Sequence, residues 1–253
     1  MDINNKRIIV TGASSGIGRE TVLQFLKFKN VKIFAVDLNK EHIPKEVSIM
    51  PFEMDISKPK NIEIMIDAAR NWMGGIDIFF ANAGFAYYEK ISTPNWERIS
   101  KIFETNVFSP IYTLTVLNAK QVEPILFITT ASAMSHLPLP GYALYSSTKA
   151  SVHSFMEAFR YEMNPQNRIM VVYPIATRTK FFDTAGNQVP VPFPSQSTET
   201  VARKIISGIK WNKNRVYPSM IFSLMQVLDR FLFVPLRIYQ WIEGIKMRTI
   251  FTK

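Results

Sequence analysis

Tyr145 and Lys149 stand four residues apart in the run Ala143-Leu144-Tyr145-Ser146-Ser147-Thr148-Lys149. On a helix that spacing puts a phenol and an ammonium on one face, one turn apart. The ammonium favours the tyrosinate, so it lowers a pKa that starts near ~10. A phenol tuned in this way can give a proton to an alcohol or carbonyl oxygen near neutral pH, or take one back. The same spacing also occurs between ordinary surface neighbours, and only the rest of the chain separates the two readings. Ser132 is a second candidate hydroxyl, at the end of the apolar run Ile125-Leu126-Phe127-Ile128-Thr129-Thr130-Ala131. At a strand terminus it either holds a substrate oxygen or starts a turn.

Near the N-terminus, Gly12-Ala13-Ser14-Ser15-Gly16-Ile17-Gly18 follows the apolar run Arg7–Thr11 and precedes a helical pattern at Val22, Phe25, Leu26 and Phe28. A strand, a glycine-rich turn and a helix N-terminus let the backbone approach a pyrophosphate. The spacing is G-x-x-x-G-x-G rather than the G-x-G-x-x-G of the common dinucleotide fingerprint. Asp37 ends the next apolar run, about 20 residues after the glycines, where a carboxylate accepts hydrogen bonds from an adenosine ribose and repels a 2′-phosphate. The competing reading is a helix cap. Asp37 favours NAD; NADP(H) remains the alternative, because Arg19 and Lys40 are close in sequence.

The elements that must carry these residues follow from hydrophobic periodicity. Strands are predicted at 7–11, 31–36, 47–54, 76–80, 125–132, 168–173 and 215–217. Helices are predicted at 61–72, at 94–120 with a break near Pro110, at 143–160 and at 197–209. The β-α alternation predicts a Rossmann-type doubly wound parallel sheet of about seven strands, with helices on both faces and right-handed crossovers. Small residues at Ala81-Asn82-Ala83-Gly84 close the fourth strand, where open α/β sheets bind flat ligands. Asn106 sits among Ile102, Phe103, Val107 and Phe108 and needs buried partners. The proline-containing segment 181–200 is expected to be a lid.

The chain has 253 residues, a formal net charge of +10 and no cysteine. The absence of cysteine excludes disulfides, thiolate catalysis and Cys-ligated zinc. The histidines His42, His136 and His153 are too scattered to suggest a metal site. Basic residues are spread along the chain rather than gathered in a stripe, so no nucleic-acid partner is expected. The first residues carry no apolar secretion core, and a cytoplasmic protein is the default expectation.

These motifs taken together resemble the short-chain dehydrogenase/reductase family over roughly residues 5 to 217. The matching stretches are Thr11–Gly18, Asp55 after the third strand, Asn82-Ala83-Gly84, Asn106-Val107, Ser132, and Tyr145 with Lys149. Ser132 precedes Tyr145 by thirteen residues, the interval the family shows. The resemblance implies that Tyr145 is the general acid/base and that Lys149 lowers its pKa and binds the nicotinamide ribose. It implies that Ser132 holds the substrate oxygen and that Asn106 fixes a water behind Lys149. Gly12, Ser14, Ser15, Gly16, Ile17 and Gly18 would bind the cofactor phosphates. Asp37 would bind the ribose, Asp55 and Ile56 the adenine side, and Asn82, Ala83 and Gly84 the strand edge beside the cofactor. After the sixth strand the family has Pro-Gly and then a Thr five residues past the Pro. Here Pro174 and Thr179 fit the cofactor positions, while Ile175 replaces the glycine and narrows the nicotinamide side of the pocket.

The expected activity is NAD-dependent hydride transfer between a nicotinamide and a secondary alcohol or ketone, with an apolar substrate. Phe85, Tyr87, Tyr88, Leu137 and Tyr142 flank the motifs and are candidates to line its pocket. The alternatives are an NADP-dependent carbonyl reductase and a non-catalytic dinucleotide-binding regulator. The resemblance implies a homodimer or homotetramer. Residues 1–217 form the catalytic unit, and 218–253 form an apolar helical extension. Asp229 and Arg230 interrupt that extension, so it is not a membrane span. It is expected either to pack over the pocket or a subunit, or to lie on a membrane surface with its apolar face in lipid.

Overall fold

In the computed structural model, residues 1–120, 123–179, 193–232 and 235–251 are described. Most of the expected lid, residues 181–192, lies outside them. The main-sheet strands are β1 (Arg7–Thr11), β2 (Lys32–Asp37), β3 (Ile49–Glu53), β4 (Ile78–Ala81), β5 (Leu126–Thr130), β6 (Arg168–Val172) and β9 (Arg215–Val216). They form one seven-stranded sheet in the order β3-β2-β1-β4-β5-β6-β9. Every neighbouring pair is parallel. Between β1 and β4 the strand order reverses, and this is the crevice where doubly wound sheets take ligands. Two short strands, β7 (Ala176–Thr177) and β8 (Ser195–Gln196), pair beside the sheet, and the sequence pattern did not announce them.

Both faces of the sheet are covered, which is why its strands read as nearly continuous apolar runs rather than alternating ones. One face buries Ile9, Phe34, Phe79, Phe127 and Val171 under α2 (Pro59–Met73), α4 (Ser109–Lys120) and α5 (Ala143–Phe159). The other buries Ile8, Val10, Ile33, Phe80 and Ile128 under α1 (Gly16–Phe25) and α6 (Thr198–Lys210). Helix α2 begins on Pro59 and ends on Gly74 in the left-handed region (φ 82°), which a residue without a Cβ adopts at little cost.

The helix expected over 94–120 breaks earlier than Pro110. Helix α3 (Trp96–Phe103) runs into one π turn, Glu104–Phe108, before α4 begins. That wide turn carries Asn106. The C-terminal extension is two helices, α7 (Met220–Leu232) and α8 (Pro235–Phe251). Among the described residues, no helix is long and apolar enough to cross a membrane.

Candidate active site

The glycine loop lies at the end of β1, where only glycine fits. Gly12 has φ +68°, and a Cβ there would stand 2.9 Å from the Ala83 Cα. A Cβ on Gly18 would come within 2.0 Å of the Gly12 carbonyl oxygen. A Cβ on Gly16 would meet the Thr179 methyl at 3.3 Å, so Thr179 sits over the loop. Ser15 is the N-cap residue of α1, with extended backbone and no side-chain capping bond. The Asp37 Oδ2 accepts the Ser14 N–H at 2.9 Å and so ties the loop to the tip of β2. Asp55 is exposed, and its Oδ1 accepts the Ser57 N–H at 2.9 Å, while Ile56 turns into the core.

Thr11 and Asn82 hold three strand ends together, and the sequence reading had not singled out Thr11. The Thr11 hydroxyl accepts the N–H groups of Asn82 and Ala83 at 3.1 and 3.2 Å. The Asn82 amide donates to the Thr11 carbonyl at 3.3 Å, and its oxygen accepts the Thr130 hydroxyl at 3.1 Å. A β1 residue, a β4 exit and a β5 end are thereby fixed around the crevice.

The buried partners expected for Asn106 are present. Its amide donates to the Phe85 carbonyl at 2.8 Å and to the Thr148 hydroxyl at 3.2 Å, and its oxygen accepts the Phe85 N–H at 3.1 Å. The π turn is thus fastened both to the segment after β4 and to α5, one residue from Lys149. A Cβ on Gly84 would sit 2.9 Å from the Asn106 Oδ1 and 3.6 Å from the Lys149 Nζ, so Gly84 is what lets the two approach.

Tyr145 and Lys149 share one face of α5, as their spacing predicts, and both are buried. The Lys149 Nζ donates to the Thr130 carbonyl at 2.8 Å and lies 5.5 Å from the centre of the Tyr145 ring. Burial pushes the Lys149 ammonium down to about 8. Burial also pushes the Tyr145 hydroxyl up to about 12, and a hydrogen bond with Ser132 pulls it part of the way back. The apolar surroundings disfavour both charges, and the ammonium is directed at a backbone carbonyl. Of the two readings of Ser132, the turn-starting one is what the structure shows. Its hydroxyl accepts the Met134 N–H at 3.1 Å, capping the short 3-10 turn Ala133–Ser135, and it also reaches Tyr145.

Beside Ser132 opens a cleft. It is lined by Ala133, Met134, Leu137, Leu139, Ile175, Ala176 and Pro194, and by Ile221, Phe222, Met225 and Tyr239 from α7 and α8. Of the five candidates named from sequence, only Leu137 lines it. Phe85, Tyr87, Tyr88 and Tyr142 instead pack into a small apolar cluster around Tyr145, with the Tyr142 ring 4.9 Å from Tyr88 and 6.3 Å from Tyr145. One wall of the cleft comes from the C-terminal extension. Tyr239 donates to the Phe193 carbonyl at 2.8 Å, and Gln240 to the Pro138 carbonyl at 2.8 Å, which hold α8 against this wall.

The crevice at the strand-order reversal, the glycine loop at a helix N-terminus and the Ser132, Tyr145 and Lys149 cluster thus lie along the C-terminal ends of β1, β4 and β5. The profile of the short chain dehydrogenase family matches residues 6–189, and the chain belongs to that family. It is 27% identical over 252 residues to the estradiol 17-beta-dehydrogenase 11 of Mus musculus, covering 92% of this chain and 81% of that one. Among solved structures it resembles a short chain dehydrogenase/reductase of Burkholderia phymatum in complex with NAD. The TM-score is 0.78 at 18% identity, over 89% of this chain and 92% of that one. It also resembles a short chain dehydrogenase of Burkholderia cenocepacia J2315 in complex with NADP. There the TM-score is 0.76 at 21% identity, over 93% and 100% of the two chains.

Proposed function

We propose that this oxidoreductase interconverts an apolar secondary alcohol and its ketone, with NAD(H) preferred over NADP(H). The observation that carries the reading is the Ser132–Tyr145 hydroxyl pair beside a cleft whose other lining residues, Tyr239 excepted, are apolar. A steroid-acting name on a relative that aligns with nearly the whole chain agrees with that cleft. The cofactor cradle fits a nicotinamide dinucleotide. The glycine positions leave room that any Cβ would fill, and Asp37 stands at the β2 tip where a ribose hydroxyl would be bound.

The bound dinucleotide supplies or accepts the hydride. The chain's own residues orient the reactants and manage one proton. Ser132 holds the substrate oxygen, and the Tyr145 hydroxyl gives that oxygen a proton in reduction and takes it back in oxidation. Lys149 stands behind the phenol, where its charge favours the tyrosinate as the proton leaves. Asp37 accepts ribose hydroxyls and repels a 2′-phosphate.

The outer face of α7 and α8 supports membrane-surface contact. Leu224, Val227, Ile238 and Trp241 are 60%, 56%, 52% and 66% exposed. Ile221 both lines the cleft and is 57% exposed, so the cleft mouth lies at this apolar face. An apolar substrate would then pass from lipid to cleft without crossing water. Turnover is tested by following NADH absorbance while the protein is offered NAD with decan-2-ol, cyclohexanol and a hydroxysteroid. Formation of NADH with none of these, and no NADH consumption with the matching ketones, contradicts the reading.

A further inference from the structure

We infer that Ser135 is a positioning residue for this site: its hydroxyl ties the backbone of Ser132 to the backbone of Lys149, and so sets how their side chains meet Tyr145. The inference rests on the roles proposed above for Ser132, Tyr145 and Lys149.

Ser132 lies just past β5 in extended conformation, with φ −165° and ψ 160°. The N–H groups on either side of it, those of Ala131 and Ala133, donate at 2.9 Å to the carbonyls of Val172 and Pro174. The N–H of Ser132 has the Ser135 Oγ as its acceptor, at 3.3 Å. The same hydroxyl donates to the Lys149 carbonyl at 2.9 Å. A serine hydroxyl has one proton and two lone pairs, so it makes both bonds together. The other end of Lys149 is held from the same stretch, since its Nζ donates to the Thr130 carbonyl. Thr130 to Ser135 therefore grips Lys149 at its ammonium and at its carbonyl, and Ser132 stands between the two grips.

Without the Ser135 hydroxyl the ammonium grip remains, but the buried N–H of Ser132 loses its acceptor. The turn is then free to shift against α5 by the small distances to which aligned reacting groups are sensitive. One residue further on, the His136 and His153 rings meet at 4.6 Å, and His136 also faces Tyr173 and Tyr217.

The test compares wild type, Ser135→Ala, Ser135→Thr and Tyr145→Phe, with NAD and whichever of the alcohols named above is turned over best. Ser135→Ala is expected to lower kcat by about 10-fold, while the alcohol KM and the NADH Kd stay within about 2-fold, and Ser135→Thr is expected to recover most of kcat. In the cofactor-free chain, amide exchange at Ser132, read in the 130–136 peptide, should speed up in Ser135→Ala and not in Ser135→Thr. Wild-type kcat and unchanged exchange in Ser135→Ala, beside an inactive Tyr145→Phe, overturn the positioning role. Loss of NADH binding together with kcat also overturns it, because the claim requires the two to separate. Full activity in Tyr145→Phe overturns instead the reading of the site on which the inference rests.

Discussion

The Asp37 carboxylate accepts the Ser14 N–H through one oxygen at 2.9 Å, and its other oxygen receives only a long 3.4 Å contact from the Asn39 N–H. It therefore keeps acceptor capacity, which on the reading proposed above serves the ribose hydroxyls and repels a 2′-phosphate. Arg19, one of the two basic candidates, donates to the His42 carbonyl at 3.2 Å. NADH is expected to bind at least about 10-fold more tightly than NADPH, a difference of about 1.4 kcal/mol, and Asp37→Ala is expected to narrow that gap. Fluorescence titration of both dinucleotides checks it, and equal or tighter NADPH binding in the wild type contradicts it. At this scale the sequence was legible wherever a backbone demand restricts the residue type, as at Gly12, Gly18 and Gly84. It gave Thr11 no role beyond opening a matching stretch and was silent on Ser135, and both hydroxyls act through hydrogen bonds between distant segments. For Ser135 the available signal was the S-x-x-S spacing from Ser132, which forms a capping box in the structure.

Helix α7 meets the core at an aromatic and histidine cluster. Phe222 is buried, its ring is 6.5 Å from His136, and the Tyr217 hydroxyl lies 3.4 Å from the His136 Nε2. Burial, then the neighbouring His153 and Arg215, push His136 down to about 4. The folded state thus keeps His136 neutral where the unfolded chain, with a pKa near ~6.5, binds a proton. The contribution to stability is complete above about pH 6.5 and is lost as pH falls toward 4. Thermal unfolding midpoints should therefore drop across that window, and His136→Phe should flatten the drop. A midpoint equally pH-dependent in the variant contradicts the assignment to His136. The elements themselves were readable because parallel strands buried on both faces give unbroken apolar runs. The break in the 94–120 helix was misplaced. Pro110 is tolerated at the start of α4, while the π turn at Asn106 is set by tertiary hydrogen bonds that leave no local pattern.

For the molecule as a whole, the extension serves two surfaces. Its inner side, with Phe222, Met225 and Tyr239, closes the cleft, and its outer side leaves Leu224 and Trp241 exposed. The sequence offered packing over the pocket or a subunit, and membrane contact, as rival readings, and the membrane contact is a proposal. With a net charge of +10, the intact protein is expected to sediment with anionic liposomes at low salt and to be released by high salt only in part, since apolar burial is not screened. A chain ending at Tyr217 is expected to remain in the supernatant and to lose affinity for apolar substrates. An intact protein that stays in solution contradicts the membrane reading and leaves the extension as a cleft wall alone.

In the reaction proposed here the Tyr145 hydroxyl carries the proton while the bound dinucleotide would supply or accept the hydride. Tyr145→Phe removes that hydroxyl and keeps the ring in its cluster with Tyr142 and Leu139. The direct measurement is kcat of the variant and the wild type on the same apolar alcohol, with NADH binding titrated in parallel. The variant's kcat is expected to be at least ~100-fold lower, from the usual ~10² to 10⁴ contribution of acid-base catalysis, with the NADH Kd within about 2-fold of wild type. A Phe variant that turns over within about 3-fold of wild type contradicts it.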